Sequence, residues 1–468
     1  MYLGYVRSAM EYNLALQNIC SKNIQENLNK IQNEAVRFIS GGMRSTSIEA
    51  CEIDTNIEPL DIRRDSAAIE MVERYRRSEE DHPNRKTVEN WKGKSRLKKQ
   101  SILTVAKTLE EKYHLPEQRK PEKPISKEFP PNFEIKKAKV NTELIRKATK
   151  KNSDENELFT LGQQTINTYA NDCIHVFTDG SAFKGTVNAG YGVRIEYPNG
   201  TGDEISEPCG DLCSNFEAEV IAIQSSLERI KDQFKSKSQD KANVVIFSDS
   251  KSALDTIKNQ SCKETPVLNL LLTIHEFIEN TNNTVTLQWI PSHCCIDGNE
   301  RADTLAKLGA AKEQPAVSVS QATVKQIIKS NAKMDWHNKW ALSKKGRALF
   351  NFVAAPNKTD PINSLPRKEQ VTIFRLRTTH APLNAHLNKI TKDHLPNCNL
   401  CSHNKEDVQH FLLECPALTD LRDRLLPRNP TIQSTLYSDK HQLKNTAKYF
   451  RMANGRRAQT QETAGSRK

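Results

Sequence analysis

Acidic side chains recur where the sequence pattern predicts that a strand ends or a helix begins. Asp179 follows a run of apolar and β-branched residues, and Asp249 follows a second such run. Carboxylate oxygens are the ligands that hard divalent cations prefer, and a strand end can hold them at fixed distances. Glu219 and Asp303 stand in the opening turns of two predicted helices. If these four carboxylates converge, they form a site for metal-assisted hydrolysis. Any one of them alone would more simply cap a turn or a helix.

The elements that would position these carboxylates follow an α/β pattern. Continuous apolar runs predict central strands, alternation predicts a strand covered on one face, and a Pro-Asn-Gly turn predicts an antiparallel pair. The predicted strands are residues 174–181, which end in Asp-Gly-Ser, and residues 190–197, 204–206, 243–249 and 284–290. The Asp-Gly-Ser sequence predicts that the first of these strands stops at a tight turn. The predicted helices are residues 214–230 with Ser214 as the N-cap, a helix opened by Ser250, 266–278 and 299–307.

The order of these motifs resembles a type 1 ribonuclease H domain over roughly residues 172–312, in the version found in non-LTR retrotransposon polyproteins. The resemblance implies a ribonuclease H-like fold, a mixed five-stranded sheet flanked by helices. It implies an endonuclease that cuts the RNA strand of RNA–DNA hybrids with two Mg²⁺ ions, or Mn²⁺ in their place. It also implies His293 as a catalytic residue that moves protons or assists product release. The motifs that carry it are Thr178–Ser181, Ala218–Glu219, Ser248–Ser250, Trp289–His293 and Gly298–Asp303.

Three positions near the motifs need separate interpretation. Glu217 lies two residues from Glu219, on a different helical face. The family pattern Ala-Glu selects Glu219 as the ligand, which leaves Glu217 as a solvated acid near a helix N-terminus. Asn215 matches a family position that contacts the hybrid, although its neighbours differ. Cys295 stands where relatives usually carry Gly, which puts the mobility of the His293 loop in doubt.

Two other functions are consistent with the residues. The first is a catalytically silent, nucleic-acid-binding remnant of a retrotransposon polyprotein, although intact carboxylates count against it. The second is a transposase or integrase nuclease on the same fold. In that class the final acidic residue of the metal site is usually Glu and the His loop is absent. This sequence instead has Asp303 as the final acidic residue, with His293 before it.

A second cluster of metal-ligating residues lies far downstream. Its pattern is Cys-x2-Cys-x8-His-x4-Cys, which supplies four soft ligands for a closed, tetrahedral, structural Zn²⁺ site. His403 and His394 are alternative ligands whose spacing fits less well. The surrounding sequence resembles the zinc module downstream of ribonuclease H in these retroelements. The four ligands are Cys398, Cys401, His410 and Cys415.

Charge is distributed unevenly along the 468 residues. The net charge is +12, yet residues 172–312 hold 13 basic and 20 acidic residues, a net of −7, so the remainder carries about +19. We therefore expect the flanks and the zinc module to supply most of the attraction for nucleic acid. Eleven cysteines without a secretory pattern predict a reducing compartment, in the nucleus or cytoplasm, and not secretion. The sequence indicates no oligomeric state.

The chain divides into six predicted segments around the ribonuclease H-like region. The first segment resembles the part that follows the palm of a non-LTR reverse transcriptase. The palm itself has no counterpart here, so we expect a truncated reading frame or the C-terminal part of a polyprotein. Trp336 and Trp340 are expected in a core. The segments are a helical remnant at 1–75, a charged, Pro-containing linker at 76–171, the ribonuclease H domain at 172–312, a helical connector at 313–395, the zinc module at 396–425 and a basic, disordered tail at 426–468.

Overall fold

The computed structural model describes most of the chain as two compact units. The described residues are 1–93, 100–116, 119–122, 138–148, 152–236, 242–259, 264–281, 283–356, 359–391 and 394–465. Unit 1 contains residues 1–71, 94–109 and 330–468, and unit 2 contains residues 72–93 and 110–329. Within the described residues, no helix is both long enough and apolar enough to cross a membrane.

Unit 2 contains a six-stranded mixed sheet. The strands are β1 (Ala138–Asn141), β2 (Ile174–Phe183), β3 (Val187–Glu196), β4 (Gly202–Leu212), β5 (Val244–Ser248) and β6 (Val285–Trp289). Their order across the sheet is β1-β6-β5-β2-β3-β4. Strands β2, β3 and β4 form an antiparallel meander, whereas β5 pairs in parallel with both β2 and β6. The five predicted strands and their mixed arrangement are confirmed.

The sheet differs from the prediction in two places. Strand β1 pairs in parallel with β6 as a sixth strand, although its residues lie in the segment predicted to be a linker. Strand β2 does not turn after Asp179 but continues to Phe183, so the predicted turn was wrong. Because β3 pairs with β2 through Gly180 and Ser181, the antiparallel ladder keeps this part of the chain extended. A turn signal read from three residues could not include that partner strand.

Helices make up most of the remaining described chain. Short 3₁₀ or π turns lie at Tyr2–Val6, Leu14–Ile19, Pro361–Ser364, His410–Glu414 and Pro416–Leu418. The helices are α1 (Arg7–Met10), α2 (Lys22–Ser40), α3 (Ile48–Thr55), α4 (Leu60–Arg76), α5 (Pro83–Glu89), α6 (Ile102–Lys112), α7 (Glu155–Ile166), α8 (Asn215–Ser236), α9 (Lys251–Lys258), α10 (Thr265–Thr281), α11 (Asp297–Ala310), α12 (Gln321–Leu342), α13 (Arg347–Phe350), α14 (Arg367–Arg377), α15 (Asn384–Ile390), α16 (Thr419–Leu425), α17 (Ile432–Leu436) and α18 (Lys440–Gly465).

Helices cover both faces of the sheet in unit 2, which explains why the central strands are apolar throughout. On one face, side chains of β2, β5 and β6 pack with α8, α9 and α10, as Ile246, Leu227 and Ile274 illustrate. On the other face, Phe177 and Phe247 stack with ring centroids 5.0 Å apart, in a cluster that includes residues of α7 and α11. A carboxylate placed at the end of β5 is therefore held by a rigid, fully covered layer.

Unit 1 is helical and has one continuous core. The core joins side chains from α2, α3, α12, α14 and α18, including Trp340, Phe374 and Tyr449. Trp336 and Trp340 are both buried, as expected for core residues. Cys398 and Cys415 belong to the same cluster. The residues predicted to form a separate zinc module are thus part of the packing of the whole unit.

The structure gives two predicted segments more order than expected. Residues 76–171 contain α5, α6, β1 and α7 in their described part, although several of the prolines behind the linker prediction lie outside the described residues. The segment predicted to be a disordered tail contains α17 and α18. Tyr449 and Ala453 on α18 are fully buried, and burial of this apolar face supplies the free energy that orders a Lys- and Arg-rich helix. The other predicted segment boundaries remain predictions.

Candidate functional site

Three of the four predicted carboxylates converge in unit 2. Asp179, Glu219 and Asp249 each offer an oxygen, and these oxygens lie within 4.8 Å of one another. Asp179 is on β2, Glu219 is on the second turn of α8, and Asp249 directly follows β5. The last β2–β5 pair is Thr178 with Ser248, so both aspartates stand just beyond the point where the parallel pairing stops. The site therefore lies at the carboxyl end of the central parallel strands.

The backbones of β2 and α8 lie unusually close together at Gly180. A Cβ atom placed on Gly180 would lie 2.5 Å from the backbone nitrogen of Glu219 and would also meet Ala218. Glycine at this position lets the strand carrying Asp179 approach the helix carrying Glu219. The Gly180 backbone N–H donates a hydrogen bond of 2.8 Å to Asp179 Oδ1, which orients that carboxylate.

Burial and mutual repulsion shift the acidities of this cluster. Burial, followed by the charge of Asp249, raises the pKa of Asp179 to about 7, although hydrogen bonds from Glu219 and the Gly180 N–H oppose the shift. Burial, followed by the charges of Asp179 and Asp249, raises the pKa of Glu219 well above its usual range. Three carboxylates this close cannot all be charged at low cost without a neighbouring positive charge.

The cluster has the features of a divalent-cation site. Oxygen ligands from three carboxylates match the preference of Mg²⁺ or Mn²⁺. Glu219 Oε2 is buried and, among the described residues, has no hydrogen-bond partner. A buried carboxylate oxygen left in this state costs free energy that a bound cation would recover. The residues present therefore fit such an ion.

Asp303 lies close to the three but outside that group. It stands on α11 and accepts a hydrogen bond of 2.5 Å from Lys307 Nζ one turn later. Its charge contributes to the raised pKa of Asp179, which places it within electrostatic reach of the cluster. Helix α11 approaches β3 closely, because a Cβ atom on Gly192 would collide with the Ala302 carbonyl oxygen. The fold thus presents Asp303 at the rim of the site.

His293 lies in the loop between β6 and α11 and is exposed to solvent. Its backbone φ is 54°, and that of Cys295 is 58°, so both non-glycine residues adopt the left-handed conformation. That conformation costs roughly 1–2 kcal/mol for an L-residue other than Gly, Asn or Asp. Cys295 therefore has the backbone geometry that favours Gly, and it holds this geometry under strain.

The four predicted zinc ligands converge in unit 1. One atom from each of Cys398, Cys401, His410 and Cys415 lies within 4.8 Å of the others. The Sγ atoms of Cys398 and Cys415 are 3.9 Å apart, and Cys401 Sγ lies 3.4 Å from His410 Nε2. Two sulfurs bound to one tetrahedral Zn²⁺ at about 2.3 Å would be about 3.8 Å apart. The chemistry and spacing of these donors fit a closed zinc site.

Burial disfavours the thiolate form of the cysteines in this cluster. Burial raises the pKa of Cys398, and hydrogen bonds from the backbone N–H groups of Leu400 and Cys401 only partly oppose this shift. Burial raises the pKa of Cys415 to about 12, so a positive ion is needed to hold the thiolate there. The His403 ring stacks on His410 at 4.3 Å. Neither His403 nor His394 joins the four-residue group found in the described chain.

Comparison with known proteins identifies the family of the unit 2 domain. Residues 171–311 match the family model described as RNase H. A ribonuclease H from Shewanella baltica strain OS155 is 30% identical over 152 residues, which cover 30% of this chain and 90% of that enzyme. The chain belongs to the ribonuclease H family.

Two further similarities concern a polyprotein and a solved structure. The retrovirus-related Pol polyprotein from type-1 retrotransposable element R1 of Bradysia coprophila is 28% identical over 116 residues, 24% of this chain. Those residues cover 11% of the polyprotein's length, so most of that protein has no counterpart in the match. The crystal structure of LC11-RNase H1 in complex with RNA/DNA hybrid matches with 23% identity and a TM-score of 0.26, over 29% of this chain and 96% of that one.

The ribonuclease H domain uses Glu217 differently from the sequence-based expectation. Glu217 is only 4% exposed, so the prediction of a solvated acid was wrong. Its Oε2 accepts hydrogen bonds from the Ser214 N–H at 2.9 Å and from Thr323 Oγ1 at 2.5 Å, while its N–H donates to Ser214 Oγ at 3.2 Å. Ser214 and Glu217 form a reciprocal cap at the start of α8. Thr323, far along the chain, could not be foreseen as a partner.

Substitution of the two glutamates should separate their roles. Glu217→Gln keeps an acceptor oxygen for the cap, so we expect a loss of about 1–2 kcal/mol in stability and activity within a few-fold of wild type. Glu219→Gln should lower hybrid cleavage by about a hundredfold or more, because a neutral amide is a poor ligand for a hard cation. Initial rates and urea midpoints measure both effects. Equal loss of cleavage in the two variants would show that Glu217 also belongs to the site.

Some positioning residues of the domain were not recognised from the sequence. Trp289 Nε1 donates a 3.2 Å hydrogen bond to the Asp249 carbonyl oxygen, which fixes the backbone after β5. Lys307 pairs with Asp303, a partner readable from their helical spacing of four residues. Gly180 stood inside a recognised motif, but its close approach to α8 depends on packing that no local pattern records.

Proposed function

We propose that this protein is an endonuclease that hydrolyses the RNA strand of RNA–DNA hybrids with two Mg²⁺ ions, or Mn²⁺ in their place. The observation that carries the proposal is the convergence of Asp179, Glu219 and Asp249 at the carboxyl end of the central strands. Membership of the ribonuclease H family supports the same reaction class.

The side chains of the site have distinct parts in this proposal. Asp179, Glu219 and Asp249 hold the ions, and Asp303 at the rim completes the set of carboxylates. When bound, paired divalent ions supply an activated water and stabilise the charge on the leaving 3′-oxygen. Exposed His293 accepts or delivers protons at its ring nitrogens, or assists product release, on the solvent side of the site.

The proposed substrate needs one RNA strand and one DNA strand. The 2′-hydroxyl is the group that allows a protein to distinguish the two strands. Asn215 at the start of α8 is exposed and lies four residues before Glu219, where its amide can donate to and accept from groups of the hybrid. This arrangement supports recognition of the duplex beside the carboxylates.

We also propose that the chain derives from a retrotransposon and that it binds a structural metal ion in unit 1. The similarity to the R1 polyprotein supports derivation from a non-LTR retrotransposon, with residues 1–75 as the region after a reverse transcriptase palm. The cluster of three cysteines and His410 holds one structural Zn²⁺ in unit 1. Basic residues outside the ribonuclease H domain contribute to nucleic-acid binding, and the protein acts in the nucleus or cytoplasm.

The direct test is cleavage of a labelled RNA–DNA hybrid in the presence of Mg²⁺. We expect cutting of the RNA strand in the hybrid and none in single-stranded RNA, double-stranded RNA or double-stranded DNA. Products ending in a 3′-hydroxyl would support the proposed leaving group. Equal cutting of all RNA substrates would contradict the proposal. Hybrid binding without cleavage would instead support the alternative of a silent, nucleic-acid-binding remnant.

A further inference from the structure

Unit 2 continues beyond the family match, which ends at residue 311. The added segment runs along β4 and then enters the first turns of α12. Gln314 Oε1 accepts a 2.8 Å hydrogen bond from the Gly210 N–H on β4. Ser320 Oγ accepts from the Thr323 N–H at 3.0 Å and so caps the helix. The start of α12 is therefore a defined part of the ribonuclease H unit.

A buried contact joins α12 to the helix that carries Glu219. Thr323 Oγ1 donates to Glu217 Oε2, and both residues are shielded from solvent. Glu217 is two residues before Glu219, so the contact lies within one helical turn of a candidate metal ligand. The first turns of α12 are thus held beside the end of α8 that carries Glu219.

The same end of α8 is bordered by the loop between β2 and β3. The Asn215 N–H donates a 3.2 Å hydrogen bond to the Gly185 carbonyl oxygen. Gln326 on α12 also lies at this loop, because its Nε2 would be 3.6 Å from a Cβ atom on Gly185. Loop, α8 and α12 therefore meet at one corner of the unit.

This corner presents cations to solvent. Lys184, Lys325 and Lys329 are all exposed. Within the described part of the chain, the ion pairs found do not include any of these three lysines. Phe183 beside them is 63% exposed, and Lys184 Nζ lies 5.3 Å from its ring centroid. An exposed aromatic ring among exposed lysines is a surface that suits nucleic acid.

The spacing of the helix lysines suits a phosphodiester chain. Lys325 and Lys329 are four residues apart, so their Cα atoms are separated by about 6 Å along the axis of α12. Phosphates follow one another at about 3.4 Å along the axis for each strand of a duplex, so two lysines at this spacing can contact two phosphates of one strand. Their charge offsets the net −7 of the ribonuclease H domain, which would otherwise repel its substrate.

We propose that Lys184, Lys325 and Lys329, here called the α12 strip, bind the phosphate backbone of the hybrid and hold it over the carboxylate site. The strip is a substrate-binding extension that lies mostly outside the matched family region. This inference rests on the proposed function, because it names the part of the surface that takes the same substrate.

The test measures hybrid binding in an Asp179→Asn background without Mg²⁺, so that it does not depend on turnover. Fluorescence anisotropy of a labelled hybrid is followed from low to high salt, with and without the double substitution Lys325→Gln and Lys329→Gln. Removal of two phosphate contacts should weaken binding at least tenfold at low salt and reduce the slope of log K against log salt by about 2.

The matched control is Lys231→Gln with Lys235→Gln, another lysine pair four residues apart. Lys235 lies 20 residues after Asn215 on α8, about 30 Å from its N-terminal end. We expect this control to bind like the parent. Unchanged affinity and slope in the α12 pair, or equal losses in both pairs, would overturn the proposal.

Kinetics in the otherwise wild-type chain complete the test. The α12 pair should raise KM about tenfold or more and leave kcat within twofold, because the strip does not touch the reacting atoms. The parent chain could cleave no substrate while the α12 pair still weakens hybrid binding. This result would contradict the proposed activity and support the α12 strip as a hybrid-binding surface. If the parent chain cleaves the hybrid and the α12 pair leaves KM unchanged, the result would support the proposed activity and contradict the role of the α12 strip.

Discussion

The variant Asp179→Asn is expected to lose hybrid cleavage by about a thousandfold or more, yet to unfold at a higher temperature than wild type in Mg²⁺-free buffer. Cleavage falls because an amide oxygen replaces a charged ligand at the centre of the cluster. Stability rises because the same change removes one of three carboxylates held within 4.8 Å of one another. Active-site residues commonly oppose stability in this way.

The pH dependence of this effect has a definite sign. Burial and Asp249 raise the pKa of Asp179 in the folded protein to about 7, from an ordinary value of 3.8. The folded state therefore holds a proton that the unfolded state releases between these two values. The stability contributed by protonated Asp179 is fully present at low pH and is lost as the pH rises toward 7. At pH 8 the cost of charging it is on the order of 2–4 kcal/mol.

Thermal melts at pH 5 and pH 8 measure the predicted difference. The gain in melting temperature from Asp179→Asn should be larger at pH 8 than at pH 5, and Mg²⁺ should stabilise the wild type more than the variant. Mg²⁺ should be omitted from the buffer and not removed with EDTA, since EDTA would also remove a zinc ion from the cysteine cluster. Asp232→Asn, a substitution at an exposed residue of α8, is the control. It should change neither the melting temperature nor its response to Mg²⁺. A destabilised Asp179→Asn protein at pH 8 would contradict the proposed repulsion.

The sequence predicted the sheet of unit 2 well because its signals are local. Apolar runs and alternation specified five strands, and the recognised motifs placed Asp179, Glu219 and Asp249 on the elements where the structure has them. What it missed depends on distant partners. The length of β2 is set by its pairing with β3, and the sixth strand, β1, exists because β6 offers an open edge to a segment whose composition resembles a linker.

Side-chain environment was harder to predict than element type. Glutamate is usually a surface residue. Glu217 is nevertheless buried, and its carboxylate accepts hydrogen bonds from Thr323 and from the Ser214 N–H. The strained φ at Cys295 likewise follows from the path of the loop and not from the residue itself. The contact between Glu217 and Thr323 joins residues far apart in sequence, where a local pattern carries no information.

The largest difference concerns the cysteine cluster, which was expected to form a small module between a connector and a tail. In the structure, Cys398 and Cys415 are buried in the core of unit 1 beside Phe411 and Leu418. The Tyr449 hydroxyl on α18 donates a 2.8 Å hydrogen bond to the Phe411 carbonyl oxygen, one residue after His410. The helix that was expected to be disordered is thus tied directly to the candidate zinc site.

Loss of zinc should therefore unfold much of unit 1 and not only a local loop. We expect one zinc ion per chain, and we expect Cys398→Ser to lose that ion and about 5 kcal/mol or more of the stability of unit 1. Apparent zinc-binding free energies of about 10–16 kcal/mol in small folded modules make a loss of this size reasonable. The serine also leaves Cys401, His410 and Cys415 as an incomplete set of polar groups, two of them buried.

The experiment compares zinc content and unfolding in two buried-cysteine variants. Cys51→Ala is the matched control, because Cys51 is fully buried in the same core but does not belong to the four-residue group. It should keep one zinc per chain and lose about 1–2 kcal/mol, the cost of a small cavity. Metal analysis by mass spectrometry and helical signal during thermal unfolding provide the two measurements. A zinc-free wild type whose unfolding is unchanged by zinc addition would reject the site. Similar losses in both variants, with zinc retained, would instead make Cys398 an ordinary core residue.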